Sequence, residues 1–210
     1  FGADTVVLDD GFQHRRVQRD CDIVLVHART PLGGWAVLPR GPMREPLSSL
    51  SRAGLVIITK ADEALGTLAA LRERLRAVAP NAVFVSAVHE PTALVDVATG
   101  ERVDPKRLSG LRVGLLSSIG DPEGFEATVA RLQATVLWHQ RYPDHYRYRE
   151  ADWAAILEQA KRSRPDALVT TEKDWIRLQQ WSVVSGQWPV PLWVLEIRMK
   201  VESGEDALDR

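Results

Sequence analysis

Thr5-Val6-Val7-Leu8-Asp9-Asp10-Gly11-Phe12-Gln13-His14-Arg15 decides how this chain is read. Its apolar half predicts a strand of the kind buried on both faces of a parallel sheet. A hard divalent cation prefers oxygen ligands, and a strand's end lets Asp9 and Asp10 protrude above the sheet without being buried unpaired. Asp9-Asp10-Gly11 is also a good turn, with Asp bonding its own backbone and Gly supplying a positive φ. The donors directly behind the carboxylates, Gln13, His14, Arg15 and Arg16, shift the reading toward a phosphate-facing site, since an idle turn has no use for them. The stretch therefore reads first as part of a kinase or NTPase site.

Such a site needs a phosphate-cradling GxxxxGK[ST] loop, and none occurs: Gly33-Gly34 is followed by Trp35. The chain also opens on Phe1, a few residues before a strand of interior character. The expectation is a C-terminal part of a larger enzyme whose phosphate loop lies upstream, with no kinase turnover of its own.

Composition sets bounds. With 210 residues, 45% hydrophobic content and net charge −1, the chain can bury one or two modest cores and has no basic excess for a nucleic-acid partner. A single cysteine, Cys21, excludes an internal disulfide framework and a cysteine-based zinc cluster; it reads as a small core residue in a protein of a reducing compartment. No apolar run approaches the length of a membrane span, and no obligate protein partner is evident.

Asp22 to Ala28, Leu55 to Thr59 and Ala82 to Val88 read as further strands. Leu65, Leu68, Leu71, Leu75 and Val78 recur at helical spacing until Pro80. Alternating strand and helix predict a parallel sheet with helices on its faces. Between the first two of these strands, Thr30 to Pro46 holds seven prolines and glycines around Arg40, Arg44 and Glu45. Long loops inside compact domains tend to be functional, and Glu45 is a candidate second carboxylate for a metal; a rigid surface connection is the plainer reading.

Ala93 to Val103 alternates around Thr99-Gly100, which predicts a hairpin bridging two lobes. Leu111 to Leu116 restarts a strand, and Asp121-Pro122 reads as a helix cap followed by a first helical residue, with Phe125, Val129 and Leu132 on one face. Trp153 to Ala160 and Trp175 to Gln180 read as helical, Ala167 to Thr170 and Leu192 to Ile197 as strands. The boundaries expected are a kinase-core part at 1–91, a two-stranded linker at 92–107, a smaller α/β domain at 108–201 and a polar tail at 202–210.

Arg141 to Tyr148 (RYPDHYRY) concentrates titratable groups, and Pro143 keeps it out of a helix interior. His145 beside Asp144 suits a general base or a phosphate-facing donor, although adjacency in sequence does not guarantee that Asp144 orients the ring. Thr171-Glu172-Lys173-Asp174 reads as a helix N-terminus with capping residues.

Taken together, LDDGFQHR at Leu8 to Arg15, RD at Arg19-Asp20, LPRGPMREPLSSL at Leu38 to Leu50, IGDPEGF at Ile119 to Phe125, PDH at Pro143 to His145 and TEKD at Thr171 to Asp174 resemble the tetraacyldisaccharide 4'-kinase (lipid A 4'-kinase) family. The resemblance implies a P-loop NTPase-like parallel sheet with flanking helices, present here in part, joined by a two-stranded linker to the second α/β domain. It implies ATP and Mg2+ as cofactors, with Asp10 and Glu45 binding the metal, Asp9 supporting it, and His145 in the catalytic cluster beside Asp144, His145 assisting proton removal from the acceptor hydroxyl together with an Asp partner expected upstream. Gln13, His14, Arg15 and Arg44 would face substrate or phosphate. The implied acceptor is the lipid A disaccharide precursor, phosphorylated at its 4'-hydroxyl, and the implied location is peripheral, on the cytoplasmic face of the bacterial inner membrane. Tyr146, Gly34 and Arg40 depart from the usual family pattern; the carboxylates and His145 do not.

Two rival readings remain. Thr59-Lys60-Ala61-Asp62 after an apolar strand mimics the guanine-reading run of GTPases, although Asp9-Asp10-Gly11 lacks their switch spacing. A non-catalytic binding module that keeps the fold and has lost the phosphate loop is the other.

Overall fold

The structure, a computed structural model, describes residues 2–185 and 190–204. The chain is α/β and divides into two compact units, Phe1–His89 with Met199–Arg210, and Glu90–Arg198.

In the first unit β1 (Ile23–His27), β2 (Leu55–Thr59) and the opening half of β3 (Val83–Asp96) run parallel, Ile23 opposite Leu55 and Leu55 opposite Val83. Parallel neighbours need a crossover, and α1 (Leu68–Val78) supplies it between β2 and β3. Its Leu71 and Leu75 bury against Val26, Val56 and Ile58 of the sheet. The helix stops before Pro80, which has no N–H to continue it. It also starts later than its apolar spacing suggests: Leu65 is 75% exposed, and the first turn forms only after Gly66.

The opening strand is a correction. Residues 5–8 adopt no strand, and Val6 and Val7 are 78% and 88% exposed. An apolar run becomes a buried strand only where neighbouring strands cover its edges and faces, and among the described residues nothing pairs with this one. Cys21, expected in the core, is exposed. The loop at 30–46 carries more local order than its prolines and glycines suggest: a short 3-10 turn at Pro31–Gly34 and a bridge between Val37 and Met43.

In the second unit the far half of β3 pairs antiparallel with β4 (Arg102–Val103) as the expected hairpin. The hairpin belongs to this unit, because Trp193 Nε1 donates to Asp96 and Val97 N–H to the Leu192 carbonyl. β5 (Arg112–Ser117), β6 (Thr135–Arg141), β7 (Ala167–Thr171) and the opening part of β8 (Leu192–Ser203) then form a parallel run in the order β6-β5-β7-β8. The crossovers are α2 (Pro122–Arg131), α3 (Glu150–Ser163) and α4 (Glu172–Ser185). Asp121 caps α2 as its sequence predicts, Oδ1 accepting the Gly124 N–H at 3.0 Å ahead of Pro122. β5 alternates its side chains between two cores: Val113 and Leu115 pack with Phe125 and Val129 of α2, Leu116 with Trp153 and Ile156 of α3. β8 runs past the expected Ile197 to Ser203; residues 205–210 of the expected tail lie outside the described residues.

β6 escaped the sequence reading, since it is an edge strand ending in the polar run His139-Gln140-Arg141. A register shift between Val113 and Gly114 brings Trp138 opposite Gly114. A Cβ on Gly114 would lie 2.3 Å from the indole, so only glycine lets the ring lie on β5, where its Nε1 donates to Ser163 Oγ at 2.7 Å.

β5 connects to β6 on one side and β7 to β8 on the other. Their carboxyl ends therefore flank a topological switch point, the usual place for ligands in such sheets. Gly114→Ala should destabilise the protein by about 1–3 kcal/mol through overpacking against Trp138, measured as a lowered midpoint in thermal or urea denaturation; an unchanged midpoint would show that the indole moves freely.

Candidate active site

In the first unit the Asp9–Arg15 segment is a loop folded around a cation. Arg19 Nη1 donates to the carbonyls of Gly11 at 2.7 Å and His14 at 3.0 Å, while its Nε lies 3.0 Å from Asp22. Asp10 sits in the left-handed region at φ 51°, which a short polar side chain tolerates. Its carbonyl accepts from Gln13 Nε2 at 3.1 Å, and its exposed carboxylate meets Arg44 Nη1 through Oδ2 at 2.6 Å. Asp9 and His14 are exposed.

Glu45 is held differently. Arg52 Nη2 lies 2.7 Å from Oε2 and Arg15 Nε 3.4 Å from Oε1, and the Arg52 hydrogen bond, foremost among these contacts, lowers the carboxyl pKa to about 2. Arg52 also donates to the Phe12 carbonyl at 3.1 Å and lies over the Phe12 ring at 4.3 Å. Arg44, Arg15 and Arg52 thus stitch the 10–15 loop to the 44–52 segment. The structure brings together Asp10, Gln13, Arg15, Arg44 and Glu45, beside a cavity of about 160 Å³ lined by Phe12, Val24, Leu32, Met43 and Leu50 among others.

The donor set fits a hard cation at Asp10, whose second oxygen has no protein partner among the described residues. Glu45 is anionic as a metal ligand must be, yet both its oxygens face guanidinium groups here. Among the described residues, Asp9, Asp10 and Glu45 do not bring three carboxylate oxygens within 4.8 Å of one another. The rival guanine-reading run starts at the end of β2, where Lys60 is buried with Nζ 3.7 Å from Glu63.

The second unit gathers its polar groups at the switch point. Asp174 has no exposed surface, and its Oδ1 accepts from Ser118 N–H at 3.0 Å, Ser118 Oγ at 2.5 Å and Tyr148 OH at 3.0 Å. Its Oδ2 accepts from Thr171 Oγ1 at 2.7 Å, and the Asp174 N–H donates back to the same hydroxyl at 3.2 Å. The expected cap is present, and the carboxylate does more than cap: it ties the ends of β5 and β7 together. Burial first, and the Asp174 charge second, push the Tyr148 phenol far above its ordinary range, so it remains a donor.

His145 lies in a tight turn in which Tyr146 N–H donates to the Pro143 carbonyl at 3.1 Å, and its φ is 60°. Its side chain is 81% exposed. Asp144 braces the turn, Oδ1 accepting the His145 N–H at 2.9 Å, but Oδ2 stands 3.7 Å from Nε2, beyond a hydrogen bond. Adjacency in sequence thus does not make Asp144 the orienter of the ring; its contact is with the backbone. Tyr146, the departure from the family pattern, stacks on Tyr142 with centroids 4.8 Å apart and donates to Asp152 at the start of α3.

Sequence reasoning named Arg15 and Arg44 but missed the other arginines of these clusters. Arg19 entered only within a motif and Arg52 and Arg177 not at all, because a cation's partners are set by tertiary structure. It also missed His139, whose Nε2 meets Ser117 Oγ at 2.8 Å and whose Nδ1 meets Glu126 at 2.9 Å.

Comparison with known proteins decides the family. A model described as Tetraacyldisaccharide-1-P 4'-kinase matches residues 1–210. The chain belongs to the tetraacyldisaccharide 4'-kinase family. A tetraacyldisaccharide 4'-kinase of Anaeromyxobacter dehalogenans (strain 2CP-C) is 46% identical over 180 residues, covering 84% of this chain and 47% of that protein. That of Syntrophus aciditrophicus (strain SB) is 38% identical over 208 residues, covering 96% and 54%. The chain spans about half the length of the curated relatives it matches. In fold it matches the crystal structure of "apo" form LpxK from Aquifex aeolicus in complex with ATP, with TM-score 0.58 and 24% identity over 95% of this chain and 54% of that one. This member of the tetraacyldisaccharide 4'-kinase family thus carries Asp9-Asp10, Glu45 and His145 on the elements described above.

Because the folded Glu45 value lies below the ordinary 4.5, its ion pair stabilises the loop fully above that pH and releases as the pH falls toward about 2. Arg52→Met should move the Glu45 carboxyl midpoint back toward 4.5 in a carbon-13 NMR titration; an unmoved midpoint would mean that Arg52 is not its main partner. Burial holds the His139 pKa below its ordinary 6.5, against the pull of Glu126, so its contribution to stability is complete above 6.5 and is lost as pH falls through the folded value. Thermal midpoints should decline on acidification below about 6.5, and His139→Gln should flatten that decline. His89, likewise lowered chiefly by burial, would leave a residual slope.

Proposed function

We propose that these residues form part of an ATP-dependent kinase that phosphorylates the 4'-hydroxyl of tetraacyldisaccharide 1-phosphate, the lipid A disaccharide precursor. Membership of the tetraacyldisaccharide 4'-kinase family over residues 1–210 carries this reading. The open carboxylate oxygen of Asp10 beside Arg44 and Gln13 supports it chemically.

Magnesium, when bound, supplies neutralisation of the charge that builds on the transferring phosphoryl group. Asp10 would hold it, Asp9 would add negative potential, and Glu45 would join on exchange of a guanidinium partner. Arg15, Arg44, Gln13 and His14 are the donors available to phosphate or headgroup oxygens, with Arg15 and Arg44 kept beside the carboxylates by their ion pairs. His145 stands exposed on its braced turn, able to meet the acceptor without moving a packed element. No helix of the described residues is long and apolar enough to cross a membrane. Peripheral association with the cytoplasmic face of the inner membrane, where the lipid acceptor would be met, is part of the proposal.

In the full-length polypeptide, Asp10→Asn should lower ATP-dependent phosphorylation of tetraacyldisaccharide 1-phosphate about 100-fold or more, the equivalent of roughly 3 kcal/mol of lost charge stabilisation. Retention of near-normal turnover would remove Asp10 from the chemistry. Strong preference for GTP over ATP in the same assay would favour the guanine-reading alternative.

A further inference from the structure

Apart from Asp144, at 3.7 Å, the polar group that His145 faces is Arg177, on the second turn of α4. Its Nη2 lies 3.3 Å from His145 Nδ1. Its Nη1 donates to Ser118 Oγ at 3.0 Å and to the Ser118 carbonyl at 3.4 Å, and stands 3.9 Å from the Asp174 carboxylate. A guanidinium has only N–H donors and keeps its proton. At the contact with His145, the imidazole nitrogen must therefore be the acceptor. A neutral ring that accepts at Nδ1 carries its proton on Nε2.

We propose that Arg177 is the positioning residue of His145, filling Nδ1 so that the ring presents its Nε2–H outward as a donor. This assignment rests on the kinase reading only for the ring's purpose; the geometry is independent of it.

The backing explains why the arrangement holds on an exposed ring. His145 is 81% exposed, but Arg177 is only 25% exposed and Asp174 not at all. Donation runs inward in one sense: Arg177 Nη1 to Ser118 Oγ, then Ser118 Oγ to Asp174 Oδ1. Each bond polarises the next, and the carboxylate is itself pinned by Tyr148 and Thr171. The left-handed turn at Pro143–Tyr146 brings the ring to the guanidinium, and Asp144 serves that turn through the backbone. The residue that reaches the ring nitrogen is not its sequence neighbour Asp144 but one 32 positions away. An outward Nε2–H suits an acceptor oxygen, a carboxylate or phosphate, held against the ring. It also means that a proton taken from a hydroxyl in this state must go to a group other than Nε2.

The test is nitrogen-15 NMR of the imidazole in the full-length polypeptide, at a pH where the ring is neutral. The wild type should show a single tautomer, Nε2 protonated and Nδ1 with the shift of a hydrogen-bonded acceptor. Arg177→Met should give a tautomer mixture with an unbonded Nδ1, and Ser118→Ala, which keeps the guanidinium and removes one anchor, an intermediate shift. Unchanged thermal midpoints and amide spectra elsewhere would establish that each variant is folded. In phosphorylation assays Arg177→Met should lower kcat about 10-fold or more with the KM for ATP unchanged, as expected when a group is misplaced rather than removed. A wild-type ring protonated at Nδ1, or a folded Arg177→Met protein with an unaltered ring, would overturn the assignment. Loss of the tautomer preference in a full-length protein with no kinase activity would uphold it while sinking the proposed reaction.

Discussion

The second unit depends on a carboxylate that has no contact with water. Asp174 is fully buried, and a buried charge is tolerated only when its lone pairs are filled. Ser118 at the end of β5, Thr171 at the end of β7 and Tyr148 ahead of α3 fill them. One side chain thereby fixes the relative height of two central strands and the start of two helices. Removing it would take the acceptor from the buried Ser118 hydroxyl and its backbone N–H at once, which costs more than the hydrogen bonds themselves. Ser118, on which the Arg177 guanidinium rests, is thereby fixed to the end of β5.

The first unit solves the same problem with opposite means. Glu45 and Asp10 lie near the surface, so they are held by cations rather than by neutral donors, with Arg52, Arg15 and Arg44 in place of hydroxyls. The exposed Asp10–Arg44 pair contributes little to global stability. The consequence of these ion pairs is local: they fix the protonation of Glu45 and align two irregular segments that no ladder of backbone hydrogen bonds could align.

Much of this was legible in the sequence, for identifiable reasons. β2, the α2 cap at Asp121-Pro122 and the hairpin at Thr99-Gly100 rest on local rules, and local rules survive folding. The run Val6-Val7-Leu8 misled because burial on both faces is a property of neighbours, and among the described residues no strand pairs with it. β6 was hidden because an edge strand tolerates polar ends, and its alignment depends on an absent side chain at Gly114. The candidate carboxylates and His145 stood out by residue type and motif. Their partners did not, since Arg52 and Arg177 are ordinary helix- or turn-borne arginines until the fold brings an acceptor to them.

That arginine holds these positions follows from geometry. Arg177 serves a hydroxyl, a carbonyl and an imidazole nitrogen at once, using both terminal nitrogens of one planar fork. Arg52 serves a carboxylate and a carbonyl through Nη2 alone, and its planar guanidinium also lies over an aromatic face, which an ammonium cannot match in shape. A lysine ammonium is a compact point charge with three donors on one atom, so at position 177 it could satisfy either end of the bridge and not both. Lysine can also give up its proton when buried beside a neutral acceptor, whereas a guanidinium cannot. Only the second kind of group can fill Nδ1 of a histidine without exchanging roles with it, which is why the direction of the His145 proton is set by the fold and not by the solvent.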